Sequence, residues 1–300
     1  MSSLKIYLYA FISMSFWALS FVWYKDAFLS YGPVTIIFFR LIISVSLLAV
    51  ISFIIRKRLK LESGDIKLFI LLAFFEPFCY FLGEGYGMQY VTPTTGAIII
   101  STIPLLTPFF LAMAGKKEKI SVINFAGMIV SFAGIIMVVT GDKSGNSVSI
   151  KGVMLLFVAV ISAIFFSIVL KNVARKYDSV VIVFWQNLIA ATMFMPLFFM
   201  LEFNSFINSE HRIEAVQAVL KLGIFPSTVS FLLFIPVVSF LGATKANTFA
   251  NLIPVITALF SFFFYGEQFG IVKSLGVIVV ISGLFVSQMK FINRNIRGGF

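Results

Sequence analysis

Two carboxylates, Glu76 and Glu84, stand inside one apolar stretch, IKLFILLAFFEPFCYFLGEGYGMQY (66–90). A charge at membrane depth is costly and is kept mainly where it is paired or lines a polar pathway. Glu76 lies near the middle of the stretch, next to Pro77. The proline loosens the helix and frees a backbone carbonyl about one turn earlier. Glu76 reads as a proton-coupling carboxylate or as an anchor for a cationic group such as an amine. The structural alternative is a carboxyl hydrogen-bonded to a neighbouring helix. Tyr80 is four residues after Glu76 and four before Glu84, a spacing that puts all three on roughly one helix face. Its hydroxyl needs a partner, so it is expected to line a cavity.

Arg40 lies in a second apolar stretch, at a depth similar to that of Glu84. One reading is an interhelical ion pair, since buried charges are usually paired. The other is a split amino-acid site, with Arg40 forked on a substrate carboxylate and Glu84 on the amine. Trp17, Trp185, Gln186, Asn187, Asn247, Asn251 and Thr95 are further candidates for a polar or aromatic lining. For any single one, packing or helix–helix hydrogen bonding is the simpler role.

The elements that must position these residues are membrane helices. The chain has 300 residues, of which 60% are hydrophobic and 12% charged. A soluble domain has roughly a quarter of its residues charged, so this chain cannot cover its surface with polar groups. The fold class is all-α and integral to a membrane. The net charge of +11 has a plainer source than nucleic acid, namely the cationic loops that fix topology. A single cysteine, Cys79, excludes an internal disulfide and a thiolate metal site. The single histidine, His211, sits in a polar loop, which excludes a histidine cluster. No metal or cofactor is expected. Gly83-Glu84-Gly85-Tyr86-Gly87 is no phosphate loop, because it lacks both the lysine and the strand–turn–helix context. No hydrolase or kinase motif is present, so an enzyme is not expected. The first apolar run lacks a small-residue cleavage site and reads as a retained helix.

Ten apolar segments of about twenty residues are separated by short polar breaks. They cover 4–24, 33–55, 67–90, 94–114, 120–140, 152–171, 179–201, 221–243, 246–265 and 271–291. The break before the eighth holds SEHRIEAVQAVLK, read as a short amphipathic surface helix. Lysines and arginines crowd the breaks at 56–60, 116–119 and 171–176, while the alternate breaks are poor in them. This bias predicts that both termini are cytoplasmic.

The chain also repeats itself. TTGAIIISTIPLLTPFF (94–110) lies over TKANTFANLIPVITALF (244–260), and Gly127 and Gly134 recur as Gly276 and Gly283. Each half, 1–145 and 146–300, holds five spans, so the second enters the membrane from the opposite side. Such an inverted repeat suits a transporter that opens alternately to each face. GKKEK (115–119) faces in and its counterpart GEQFG (266–270) faces out. Gln186 is close to the counterpart of Arg40, and Asn251 precedes Ile253-Pro254 at a proline-weakened point. The paired glycines give the fifth and tenth helices faces for close packing, either between halves or between protomers. Gly83 and Gly87 give the third helix such a face.

FWALSF (16–21), FFRLI (38–42), IPLLTPFF (103–110), LIPVITALF (252–260), Gly266-Glu267 and the GxxxxxxG faces together resemble the drug/metabolite transporter superfamily, specifically the EamA-type ten-helix permeases. The resemblance covers nearly the whole chain. It implies a bundle around a central cavity, with helices one to four and six to nine lining it and five and ten as support. It also implies export of amino acids and other metabolites, with import or exchange in some members. The chain departs from the pattern at Gly115-Lys116-Lys117-Glu118, where Gly-Glu is common, and at Ile253, where many members have glutamate. The resulting expectation is a secondary transporter of the inner membrane, monomer or homodimer. It would move amino acids or related zwitterions outward by alternating access, with possible proton coupling through Glu76. The alternatives are a drug or organic-cation transporter and, from another class, a scaffold or sensor without transport.

Overall fold

The computed structural model describes residues 3–113, 122–141 and 149–296. The described residues form helices and their connections, in the order α1 (Ser3–Ala27), α2 (Pro33–Ile54), α3 (Ser63–Met88), α4 (Pro93–Leu111), α5 (Val122–Gly141), α6 (Ile150–Val173), α7 (Ser179–Ile207), α8 (Ile213–Leu241), α9 (Ala243–Tyr265) and α10 (Ile271–Ile296). Eight of these are long and apolar enough to cross a bilayer. In α5 and α10 the apolar parts are shorter, Phe125–Gly141 and Ile271–Ser287. GKKEK (115–119) and the break containing Lys143 lie outside the described residues.

Local chemistry sets the helix ends. Pro33 and Pro93 open α2 and α4 at the first turn, where a missing N–H costs nothing. Ser149 and Asp178 cap α6 and α7 through their side chains. Gly32 offers no side-chain cap to α2, so Glu202 at the far end of α7 supplies one. Its carboxylate accepts from Val34 N at 3.1 Å and from Thr35 N at 2.7 Å. Gly266 ends α9 in the left-handed conformation, with φ 60°.

Several boundaries differ from the sequence expectation. The stretch 209–221 is not a separate surface helix. From Ile213 it runs directly into α8, because Ala215, Ala218 and Leu222 bury one face against the bundle. Helix α7 likewise continues to Ile207. The third span is not continuous. A wide turn at Phe74–Cys79 interrupts α3, and Glu76 has extended backbone there (φ −147°, ψ 120°). Helix α8 carries a matching wide turn at Phe225–Ser230, so Pro77 and Pro226 stand at equivalent places in the two halves. Helices α4 and α9 are also interrupted alike, at 101–102 and at Thr248–Asn251, just before their Ile-Pro pairs.

Helices α5 and α10 pack against each other, which answers the question of where their glycine faces go. Gly127 abuts the backbone of Gly283 and Ser287, and Gly134 abuts Gly276 and Val280. Ser131 Oγ donates to Val280 O at 3.3 Å. The contact therefore joins the two halves of one chain. Gly83 and Gly87 bring α3 equally close to α6, at Leu155, Leu156 and Ala159. At the turn between α9 and α10 the buried Glu267 accepts from Lys273 Nζ at 2.7 Å, from Thr94 Oγ1 at 2.8 Å and from the Ser261 hydroxyl. This cluster ties the start of α4 to the second half.

Candidate functional site

The interrupted helices surround a central cavity of about 50 Å³. Helices α1, α2, α3, α4, α6, α8 and α9 line it, and α7 does not. Among the expected residues, Trp17, Arg40, Glu76, Tyr80, Glu84 and Asn247 reach it. The rings of Phe21, Phe81, Phe166 and Phe234 form much of the remaining wall.

Arg40 is only 1% exposed, and two of its three guanidinium nitrogens, Nε and Nη1, are engaged by protein groups. Its Nε donates to Ser227 Oγ at 2.7 Å and its Nη1 to the Tyr24 hydroxyl at 3.0 Å. Nη1 lies 3.6 Å from Glu84 Oε2. The guanidinium also lies over the Phe81 ring, 4.0 Å from its centroid, a cation–π placement. Glu84 accepts from the hydroxyls of Tyr80 (3.1 Å) and Tyr24 (3.3 Å). The ion-pair geometry is therefore present, and the guanidinium is not presented as a free fork.

Glu76 differs. It is 7% exposed, lines the cavity, and has no hydrogen bond or ion pair to a described residue. The break that places it there also resets the helix face, so its neighbourhood with Tyr80 and Glu84 owes nothing to the four-residue spacing. Arg40 and Glu84 thus stand as a pair, and Glu76 is the cavity-lining carboxyl outside that pair.

The remaining candidates serve elsewhere. Trp185 Nε1 donates to Leu59 O at 3.0 Å, near the basic break after α2. Asn187 Nδ2 donates to Ser44 Oγ at 2.8 Å and to Ser227 O at 3.0 Å. Gln186 is fully buried, and among the described residues neither its amide atoms nor the Asn251 carbonyl has a hydrogen-bond partner. Thr95 accepts from the Thr92 hydroxyl at 3.0 Å. These side chains miss the cavity because α7 presents its polar face to α2 and α8, and because the turn at Thr248–Asn251 rotates Asn251 away while Ala250 and Ile253 line the wall.

Sequence reading missed Tyr24, Ser44, Ser227 and Thr228. Thr228 Oγ1 donates to Gly223 O at 2.8 Å and Ser44 Oγ donates to Ser227 O at 3.1 Å. Together with Asn187 they satisfy backbone carbonyls freed by the wide turn in α8. Trp17 Nε1 does the same for Pro226 O, at 3.2 Å. The signal was available as PSTVS (226–230), a proline followed by hydroxyls in an apolar run and aligned with the Glu76-Pro77 break. Among the described residues no three His, Cys, Asp or Glu side chains gather to hold a metal.

A family model described as the EamA-like transporter family matches residues 4–140 and again 150–289. The chain belongs to this family. Both halves thus carry the same family unit, in keeping with their matched helix breaks. The chain is 27% identical to "Uncharacterized transporter YetK" of Bacillus subtilis (strain 168), over 84% of this chain and 77% of that protein. It is 23% identical to an "Uncharacterized transporter" of Archaeoglobus fulgidus, over 95% of this chain and 98% of that protein. A crystal structure matches with a TM-score of 0.71 at 14% identity, covering 99% of this chain and 100% of that one; at that identity it shows the fold alone. The EamA-like chain is a multi-pass membrane transporter, which in bacteria places it in the inner membrane.

Proposed function

We propose that this EamA-like protein is a secondary transporter that moves small amine-bearing metabolites, amino acids or related zwitterions, outward by alternating access. Ten spans in two inverted halves, 1–145 and 146–300, with cytoplasmic termini, are the architecture assumed. The loop charges support that orientation. The observation that carries the reading is Glu76, a buried cavity carboxyl without a partner among the described residues, beside the Arg40–Glu84 pair. Such a group has two natural partners, a substrate ammonium and a proton. Competition between them couples transport to a pH gradient. A cavity of about 50 Å³ has room for a few waters and not for an amino acid, so transport requires it to widen. The broken helices α3, α4, α8 and α9 supply the places where it can.

The engagement of Arg40 Nε and Nη1 by the protein favours a second reading, an organic cation without a carboxylate. Proteoliposome uptake and efflux decide between them, with labelled amino acids and organic cations, with and without a pH gradient, for wild type and Glu76→Gln. Movement of an amino acid, with pH dependence lost in Glu76→Gln while exchange persists, supports the proposal. Movement of cations alone replaces it with the second reading. Equal pH dependence in both proteins removes Glu76 from coupling.

A further inference from the structure

A second, larger space lies outside the central cavity. It is a groove of about 480 Å³ between α1, α8 and α9, in the size range of small-ligand sites. It sits at the end of the bundle where α1 and α9 terminate. Helix α8 begins at that same end, since Glu202, late in α7, caps the start of α2. Leu19 and Trp23 of α1 face Phe260 and Phe264 of α9 across it. Phe264 is 72% exposed and is flanked by the exposed Phe262 and Phe263, so the groove opens towards lipid. Two charged side chains of opposite sign line this otherwise apolar and aromatic wall, Asp26 of α1 and Lys221 of α8. Lys221 has no ion pair or hydrogen bond to a described residue. Asp26 accepts from the Tyr265 hydroxyl, which fixes the carboxylate at the rim and leaves lone pairs for another donor.

We infer that this groove binds a phospholipid with an ethanolamine headgroup. The Lys221 ammonium meets the phosphate, the Asp26 carboxylate accepts from the primary ammonium, and one acyl chain runs along Phe260 and Phe264. The paired charges select this headgroup. An anionic lipid satisfies Lys221 and is repelled by Asp26, and a choline headgroup has no N–H to donate. Interfacial aromatic residues are suited to this depth, with an apolar body and, in Tyr265 and Trp23, a polar edge. The bland alternative is a lysine that merely extends its ammonium to water.

Native mass spectrometry of the full chain tests this, with acyl-matched phosphatidylethanolamine, phosphatidylcholine and phosphatidylglycerol added in equal amounts. Wild type is expected to retain phosphatidylethanolamine about fivefold over each of the others. Lys221→Gln should lose that retention and Lys221→Arg should keep it, while Asp26→Asn should lose the preference for phosphatidylethanolamine and gain retention of phosphatidylglycerol. Equal retention of the three lipids by wild type overturns the inference, as does unchanged retention in Lys221→Gln, which identifies a water-seeking lysine. A preference for phosphatidylglycerol overturns the ethanolamine assignment. The wild-type comparison decides even if a variant fails to fold.

Discussion

Arg40 Nη1 stands 3.6 Å from Glu84 Oε2, and the Tyr24 hydroxyl bridges them, accepting from Arg40 and donating to Glu84. The guanidinium comes from α2, the carboxylate from α3 and the hydroxyl from α1. Three helices are therefore joined at one buried charge pair beside the cavity.

Breaking one side of that pair strands a buried charge. Arg40→Met and Glu84→Met should each lower stability by about 3–5 kcal/mol, whereas the double substitution should cost much less than their sum. Thermal unfolding in detergent measures this cycle. Lys57→Ala provides the contrast, because the Lys57–Asp178 pair is half-exposed, at 43% and 45%, and exposed pairs contribute roughly 0.2–1 kcal/mol. Additive losses in the cycle would show that the pair is not a coupled unit.

The α5–α10 contact leaves no room for a methyl group. A Cβ on Gly134 would stand 2.6 Å from Val280 N, and one on Gly276 2.8 Å from Val138 N. Gly134→Ala and Gly276→Ala should therefore each destabilise by about 1–3 kcal/mol. Gly64→Ala, with nothing within 4 Å, should change stability by no more than about 0.5 kcal/mol. The unfolding midpoints of the three variants check this, and a Gly134→Ala midpoint at the wild-type value would refute the close packing.

Glu267 predicts an acid sensitivity. Burial alone would raise its carboxyl, but the Lys273 ammonium at 2.7 Å and the Ser261 and Thr94 hydroxyls hold it below the ordinary glutamate value. A depressed carboxyl contributes stability above its unfolded value, near pH 4.3, and that contribution is lost as pH falls through the lower folded value. Glu267→Gln should thus be less stable than wild type at pH 7, and the gap should narrow as pH falls below about 4.3. Unfolding midpoints measured from pH 7 down to pH 3 read out the gap, and a constant gap would contradict this account.

Hydropathy and loop charge are local properties, so the sequence alone established a helical membrane protein and its two related halves. It also placed Arg40 on α2 and both Glu76 and Glu84 on α3, and marked most helix ends through proline, glycine and capping residues. The run 209–221 was harder to read, because its continuation into α8 depends on which neighbours bury Ala215, Ala218 and Leu222. The site itself belonged to tertiary structure. Side-chain direction along a continuous helix follows from spacing, but the wide turns at Phe74–Cys79 and Phe225–Ser230 break that phase. Rotation about each helix axis then decides what meets what. It turned Tyr24 and Ser227 towards Arg40, turned Trp185, Gln186 and Asn187 away from the cavity, and left Glu76 facing it without a partner among the described residues.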